Sequence, residues 1–330
     1  MKVAIVGAGA IGGFIGARLA AAGGCDLSAL ARGATLAALR EHGFRLHEDG
    51  TLIEGPVHAS DQPAELGPQD VVIVAVKGPS LAAVAPAVRD LLTAGTVVLP
   101  AMNGVPWWFG HGVDGLGDEP LASVDAGGAI AAAIPFDRVV GCVVHASTSS
   151  PAPGIVRHAM GRGLVVGEPA GGDSARVGRI AALLGKAGFD VTRSADIRQA
   201  IWYKLWGNLT MNPVSAITGA GSDRILADPL LLAFCSAAMR EAAAVGLRIG
   251  CEITQSADDR HAITRKLGTF KSSMLQDVEA GRSIELDAIV GAVSELGRRV
   301  GVTTPNVDAL LGLTRLFGRV RGLYPPAAPD

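Results

Sequence analysis

Short, wholly apolar runs separated by Ala- and Leu-rich stretches dominate the first half of the chain. Val3-Ala4-Ile5-Val6 is the first of them, and further runs follow near Asp26 to Leu30, from Asp70 to Val76 and from Thr96 to Pro100. Continuous rather than alternating apolar strands, with helical stretches between them, predict a parallel sheet covered on both faces. Leu121 to Ile134 and Val139 to Ala146 read as further strand material, and Pro151-Ala152-Pro153-Gly154 as a turn. A strand over Gly163 to Gly167, a helix over Asp173 to Ala187 and a last strand over Phe189 to Thr192 complete this region. From Asp196 the period changes. Ile197 to Leu209, Pro229 to Val245, Ser256 to Glu279, Ile284 to Val300 and Pro305 to Phe317 all read as helices, with no strand between them. Thr304 before Pro305 is a good N-cap and first-turn pair. The expected organisation is an α/β domain over residues 1–194 and an all-helical domain over residues 195–330, with the Pro-rich tail from Tyr324 to Pro329 frayed.

The bulk numbers narrow the class. At 330 residues, 49% hydrophobic and 18% charged, the chain can bury two aliphatic cores. A formal net charge of −2 with scattered arginines excludes a nucleic-acid footprint. No stretch of about 20 uninterrupted apolar residues predicts a membrane span. The start of the chain is apolar and Ala-rich like a signal peptide, but regularly placed glycines and Arg18 break it. Cys25, Cys142, Cys235 and Cys251 form no CxxC or zinc pattern and read as reduced thiols of a cytoplasmic protein. No metal-ligand cluster stands out.

Those N-terminal glycines carry the first chemistry. Gly7-Ala8-Gly9-Ala10-Ile11-Gly12 matches GxGxxG, follows a strand and opens a helix, the context that makes it a Rossmann dinucleotide loop. Gly7 permits the tight turn, Gly9 the approach of a pyrophosphate, and Gly12 close packing of helix on strand. A dinucleotide with a free ribose 2′-OH calls for an acid at the end of the second strand. This chain instead reads Leu27-Ser28-Ala29-Leu30-Ala31-Arg32-Gly33. The missing acid, and an arginine placed for a 2′-phosphate, favour NADP(H) over NAD(H). Lys77 and Asn103 end the next two clear strands, where ligands of open α/β sheets collect. Asn103-Gly104 is also an ordinary turn dipeptide.

Lys204, Asn208 and Asn212 recur at a spacing of four residues, about 400° of helix, and so share one stripe. Trp202, Leu205, Trp206 and Leu209 flank it. A polar strip on a mostly buried helix needs partners. A bound oxo acid would supply them, and so would another domain or subunit. Further on, Gly281 is expected to break a helix and Ser283 to cap the next, placing Glu285 in its first turn. There Glu285 would at the least complement the helix dipole.

GAGAIG, Arg32, Asn103-Gly104, KxxxNxxxNP at 204–213 and SSMLQD…GRSIELD at 272–287 together resemble the ketopantoate reductase (2-dehydropantoate 2-reductase) family, in the family's order and over most of the chain. The resemblance implies NADPH-dependent reduction of a 2-oxo acid to a 2-hydroxy acid, first of all ketopantoate to pantoate in pantothenate biosynthesis. It also implies a helical C-terminal domain like that of 6-phosphogluconate dehydrogenase, with the active site in the cleft between domains. By matching motif positions, Lys204 would be the general acid at the carbonyl oxygen and Glu285 its acidic partner, touching bound ligands as well. Asn103, Asn208, Asn212 and Ser273 would contact substrate. Asn103, Glu285 and Lys77 would also lie at the cofactor, with Gly7, Ala8, Gly9, Ala10, Ile11, Gly12 and Arg32. A small-molecule substrate is the expected partner, and a homodimer is compatible with the sequence. Val105-Pro106-Trp107-Trp108-Phe109-Gly110-His111-Gly112 departs from the family pattern. Its aromatics either pack beneath the loop or reshape the pocket. Two other readings are a β-hydroxy acid dehydrogenase of the 6-phosphogluconate type and a non-catalytic NADP(H) sensor. The first lacks the Ser…Glu segment, and the second has no use for Lys204 with Glu285.

Overall fold

The computed structural model describes residues 1–326 apart from Asp118 and Leu267. Residues 327–329 of the tail expected to fray lie outside the described residues. The chain forms two compact units: Met1–Met102 with Gly128–Ala200, and Asn103–Gly127 with Ile201–Asp330. The sequence reading placed one division at 194/195. The packing instead gives residues 103–127 to the second unit and moves the later crossing to 200/201.

In chain order the elements are β1 (Lys2–Val6), α1 (Ala10–Ala22), β2 (Asp26–Leu30), α2 (Gly33–His42), β3 (Phe44–Glu48), β4 (Thr51–Gly55), β5 (His58–Ser60), α3 (Pro63–Leu66), β6 (Val71–Val74), α4 (Gly78–Arg89), β7 (Val97–Pro100), α5 (Ala122–Asp125), α6 (Ala129–Ala133), β8 (Gly141–Ala152), β9 (Ile155–Gly167), α7 (Ala175–Lys186) and β10 (Asp190–Arg193). Then follow α8 (Ile197–Thr218), α9 (Ser222–Ala227), α10 (Pro229–Arg248), α11 (Ala257–Lys266), α12 (Ser273–Glu279), a π-helical turn at Asp287–Gly291, α13 (Ala292–Arg299) and α14 (Pro305–Val320).

In the first unit, the apolar runs form a parallel sheet of order β5-β2-β1-β6-β7, as their patterning predicted. The later strands do not extend it. They join the β3–β4 hairpin in a second sheet, β10-β9-β3-β4, with β8 antiparallel to β9. The β3–β4 hairpin turns at Asp49 (φ 50°) and Gly50 (φ 78°), both in the conformation a two-residue primed turn requires. Helix α1 is buried on nearly all sides, as a helix apolar all round should be. Phe14, Ile15, Phe44, Leu46, Val156 and Leu164 belong to one core that joins α1 to strands of both sheets.

Residues Leu121 to Ile134, expected as strand, are instead the short helices α5 and α6. Their alanines favour helix, and Gly127 and Gly128, both at positive φ, separate the two. The second unit is helical, but two expected helices are divided. Ser256 to Glu279 breaks into α11 and α12, where Ser272 Oγ caps Leu275 N–H at 3.1 Å. Ile284 to Val300 begins as helix only at Leu286 and passes through the π turn. Thr304 precedes α14, yet its hydroxyl donates to Asp308 at 3.2 Å. The cap is the Glu241 carboxylate, which accepts from the N–H groups of Asn306 and Val307 at 3.0 Å each. Helix α10 is long and apolar enough to cross a membrane. In this fold its Cys235, Ala238, Met239, Ala242 and Val245 lie in the protein interior.

Glu295 explains why residues 103–127 travel with the helical unit. Its buried carboxylate accepts from Ala122 N–H (2.9 Å), Ser123 N–H (2.8 Å) and Arg299 (2.7 Å). Arg299 also donates to the carbonyls of Glu119 and Pro120. Burial acts to raise the Glu295 carboxyl, but the Ser123 and Ala122 donors and Arg299 outweigh it and hold the pKa below the usual range.

Candidate active site

In the first unit, Gly7 follows β1 with φ 90°, where a side chain would be strained and a Cβ would sit 2.6 Å from Val76. A Cβ on Gly12 would come within 2.0 Å of the Gly7 carbonyl oxygen, so this position closes the turn against the helix. Gly9 is different: apart from its own immediate backbone, nothing among the described residues lies within 4 Å of where its Cβ would be. It caps α1, whose first turn begins with Ala10 and Ile11. The first N–H groups of a helix lack partners within the helix and attract anions. A bare backbone edge at that end, with Ala8 behind it, fits a dinucleotide phosphate. Arg32 is exposed at the N-cap of α2, and its side chain has no hydrogen bond or ion pair among the described residues. Lys77 is half-buried and caps α4, directly beyond the third strand expected from the sequence.

In the second unit, the structure brings together two residues that are 101 positions apart. Lys204 Nζ donates to Asn103 Oδ1 at 2.8 Å. Lys204 and Asn208 are half-buried on α8, one turn apart, with Trp202, Leu205, Trp206 and Leu209 buried around them. Asn212, a turn further, is buried, and its Nδ2 has no partner. An orphaned buried donor is what a bound polar ligand would satisfy. Ser273 is the exposed first residue of α12. Its neighbour Ser272 is the buried one, hydrogen-bonded to the Ser215 hydroxyl.

The loop bearing Asn103 is clamped from one side. Val105 N–H donates to the Ala288 carbonyl at 2.7 Å. Gly104 has φ 81°, and a Cβ there would lie 2.5 Å from that same carbonyl oxygen. Ala288 sits in the π turn, a local irregularity that often marks functional sites. Glu285 is half-buried and stands immediately before this helix, not in its first turn as its spacing from Ser283 suggested. Two contacts hold its segment: Ile284 N–H to Leu323 O at 3.0 Å, and Tyr324 OH to Asp287 Oδ1 at 2.7 Å. Tyr324, expected to fray, is therefore an anchor. Burial pushes the Asp287 carboxyl up, against the pull of the Tyr324 hydroxyl, and burial with Asp287 pushes the Tyr324 phenol up. Tyr324 lay in a stretch read as tail, so sequence reasoning missed this pair.

The aromatic segment resolves as core. Trp107, Trp108 and Phe109 are all buried, and the Phe109 ring stacks on Trp202 with centroids 6.0 Å apart. The residues that depart from the family pattern pack under the helix that carries Lys204.

A phosphate-ready glycine loop on a parallel sheet, and a lysine ammonium fixed by an amide among asparagines, define a dinucleotide-dependent oxidoreductase. Residues 3–171 match the family described as "Ketopantoate reductase PanE/ApbA", and residues 196–317 match its C-terminal domain. The 2-dehydropantoate 2-reductase of Mesorhizobium japonicum is 46% identical over 98% of this chain and 100% of its own length. The crystal structure of a proposed ketopantoate reductase from Ralstonia solanacearum MolK2 is 54% identical with a TM-score of 0.94, covering 98% of this chain and 99% of that one. The 2-dehydropantoate 2-reductase of Methylococcus capsulatus is 27% identical with a TM-score of 0.82, covering 97% and 98%. The chain belongs to the ketopantoate reductase family, and is thus an oxidoreductase that uses a nicotinamide dinucleotide.

Proposed function

We propose that the protein reduces a 2-oxo acid to the 2-hydroxy acid with NADPH, and that ketopantoate, giving pantoate, is its substrate. The observation that carries this reading is the 2.8 Å bond fixing the Lys204 ammonium against Asn103, within a full-length match to a 2-dehydropantoate 2-reductase. Bound NADPH supplies the hydride that adds to the carbonyl carbon. Lys204 faces the charge that grows on the carbonyl oxygen and donates the proton there, leaving a neutral amine that solvent reprotonates. Asn103 orients the ammonium by accepting one of its N–H bonds. Glu285 is the acidic partner that tunes the lysine and meets the bound ligands. Asn208, Asn212 and Ser273 hold the substrate's polar groups through neutral donors. Gly7 to Gly12 bind the pyrophosphate, Arg32 pairs with the 2′-phosphate, and Lys77 stands near the cofactor. The four free cysteines suit a reducing cytoplasm, and a homodimer is the assembly we propose.

The test is NADPH oxidation across a panel of 2-oxo acids with ketopantoate first. Turnover with ketopantoate above the others is expected. Tight NADPH binding with no turnover on any oxo acid would return the sensor reading in its place.

A further inference from the structure

The helix that carries Lys204 holds a glycine in its interior, where glycine costs about 1 kcal/mol relative to alanine. Packing accounts for it. A Cβ on Gly207 would lie 2.3 Å from Arg260 Nη2, 2.7 Å from Nε and 2.8 Å from Cζ. The Arg260 guanidinium therefore rests directly on the backbone of α8. It also lies over the Tyr203 ring, one turn back on the same helix face, 5.4 Å from the centroid. The Tyr203 hydroxyl is itself held, donating to Gln255 Oε1 at 2.8 Å. Ring and glycine together seat the planar group.

A seated arginine ordinarily has an acid to meet. Arg260 Nε is buried with no hydrogen-bond partner, and the guanidinium makes no ion pair among the described residues. The two nearby aspartates on α11 do not fill that role. Asp259 accepts from Ser256 at the start of the helix, and Asp258 makes no ion pair with Arg260. A buried, unpaired donor on a charged group is expensive. Gly207 stands three residues beyond Lys204 and one before Asn208, and side chains three apart on a helix are neighbours, roughly 5–6 Å between Cβ atoms. Helical spacing thus puts Gly207, and the guanidinium resting on it, next to Lys204.

We infer that Arg260 is a specificity-determining residue that takes the carboxylate of the substrate. This rests on the proposed 2-oxo acid reduction. The planar fork of N–H donors matches a carboxylate bidentately, which neither a lysine nor an asparagine does. Division of labour follows: Lys204 addresses the ketone oxygen, Arg260 the carboxylate beside it, and the asparagines the one hydroxyl group that remains.

The experiment compares kcat/KM for ketopantoate and for its uncharged methyl ester, in the wild type and in Arg260→Ala. Loss of a charge-assisted bidentate contact should cut kcat/KM for the acid roughly 100-fold, mostly through KM, and leave the ester within about threefold. Ester turnover is the internal check that the variant folds. If Arg260→Ala turns over neither compound, Arg260→Lys and Gly207→Ala carry the test, each lowering the acid-to-ester ratio by about tenfold or more. Equal losses on acid and ester, or an unchanged ratio in all three variants, would overturn the assignment while leaving the oxo acid reading standing. A wild type that reduces neither compound overturns the reading and this assignment together.

Discussion

The glycine loop of the first unit and the lysine site of the second are built in opposite ways. Gly7 to Gly12 is one contiguous hexapeptide seated on the adjoining strands of its own sheet: Gly12 is required by the Gly7 carbonyl five residues earlier, and Gly7 by Val76. The lysine site draws on segments near 103 and 204, with the 103 loop fastened by the Ala288 carbonyl, the Glu295 cap and, beside Ala288, the Tyr324–Asp287 bond. A local device is robust to events elsewhere in the chain. An assembled one depends on distant clamps that touch no ligand. Substitutions should therefore separate the two regions cleanly: cofactor binding fails without the loop, and turnover fails without the clamps.

The largest effect is expected at Gly12→Val. Its side chain meets backbone rather than a flexible tip, so NADPH binding measured by calorimetry should weaken by more than about 100-fold, with a loss of roughly 1–3 kcal/mol in stability. Next is Gly104→Ala. A Cβ against the Ala288 carbonyl shifts Asn103, and kcat should fall on the order of 10- to 100-fold while NADPH affinity is unchanged. If Gly104→Ala weakens NADPH binding as much as turnover, the two regions are not separable in this way. Arg32→Ala is smaller and bears on the cofactor alone: KM for NADPH should rise about tenfold, with KM for NADH nearly constant. An equal rise for both would remove the 2′-phosphate role.

Glu295→Gln gives the smallest effect and tests a clamp by pH. The Glu295 pKa is held low in the folded protein. Its stabilisation is present at neutral pH, above the ordinary carboxyl range, and is lost as pH falls through the folded pKa. The variant should lose about 1–3 kcal/mol at pH 7 and show a shallower decline of Tm on acidification than the wild type. A parallel decline would mean that the carboxylate does not carry the clamp.

The same contrast governs what could be read before any coordinates. The parallel strands, the glycine loop and the stripe of Lys204, Asn208 and Asn212 are local patterns, and they were legible. The second sheet was missed although Phe44-Arg45-Leu46-His47-Glu48 alternates and Asp49-Gly50 is a strong hairpin signal. The β3 and β4 strands are short and half-polar and lack the continuous apolar runs that mark the first sheet. In Leu121 to Ile134, small apolar residues suit both strand and helix, and the Glu295 contacts that fix the start of α5 come from far along the chain. Pairings across the chain had no local trace at all. Nothing in the sequence near Lys204 announces Asn103, nothing near Asp287 announces Tyr324, and Gly207 gives no hint that a guanidinium from α11 lies on it.

The central claim is that Lys204 and Asn103 act as one unit in the chemical step. A double-mutant cycle measures it directly, from kcat with ketopantoate for the wild type, Lys204→Ala, Asn103→Ala and the pair. With Lys204→Ala lowering kcat on the order of 1,000-fold, the pair should be within about threefold of that single variant. Losses that multiply, so that the double variant is slower by the product of the two singles, would contradict it.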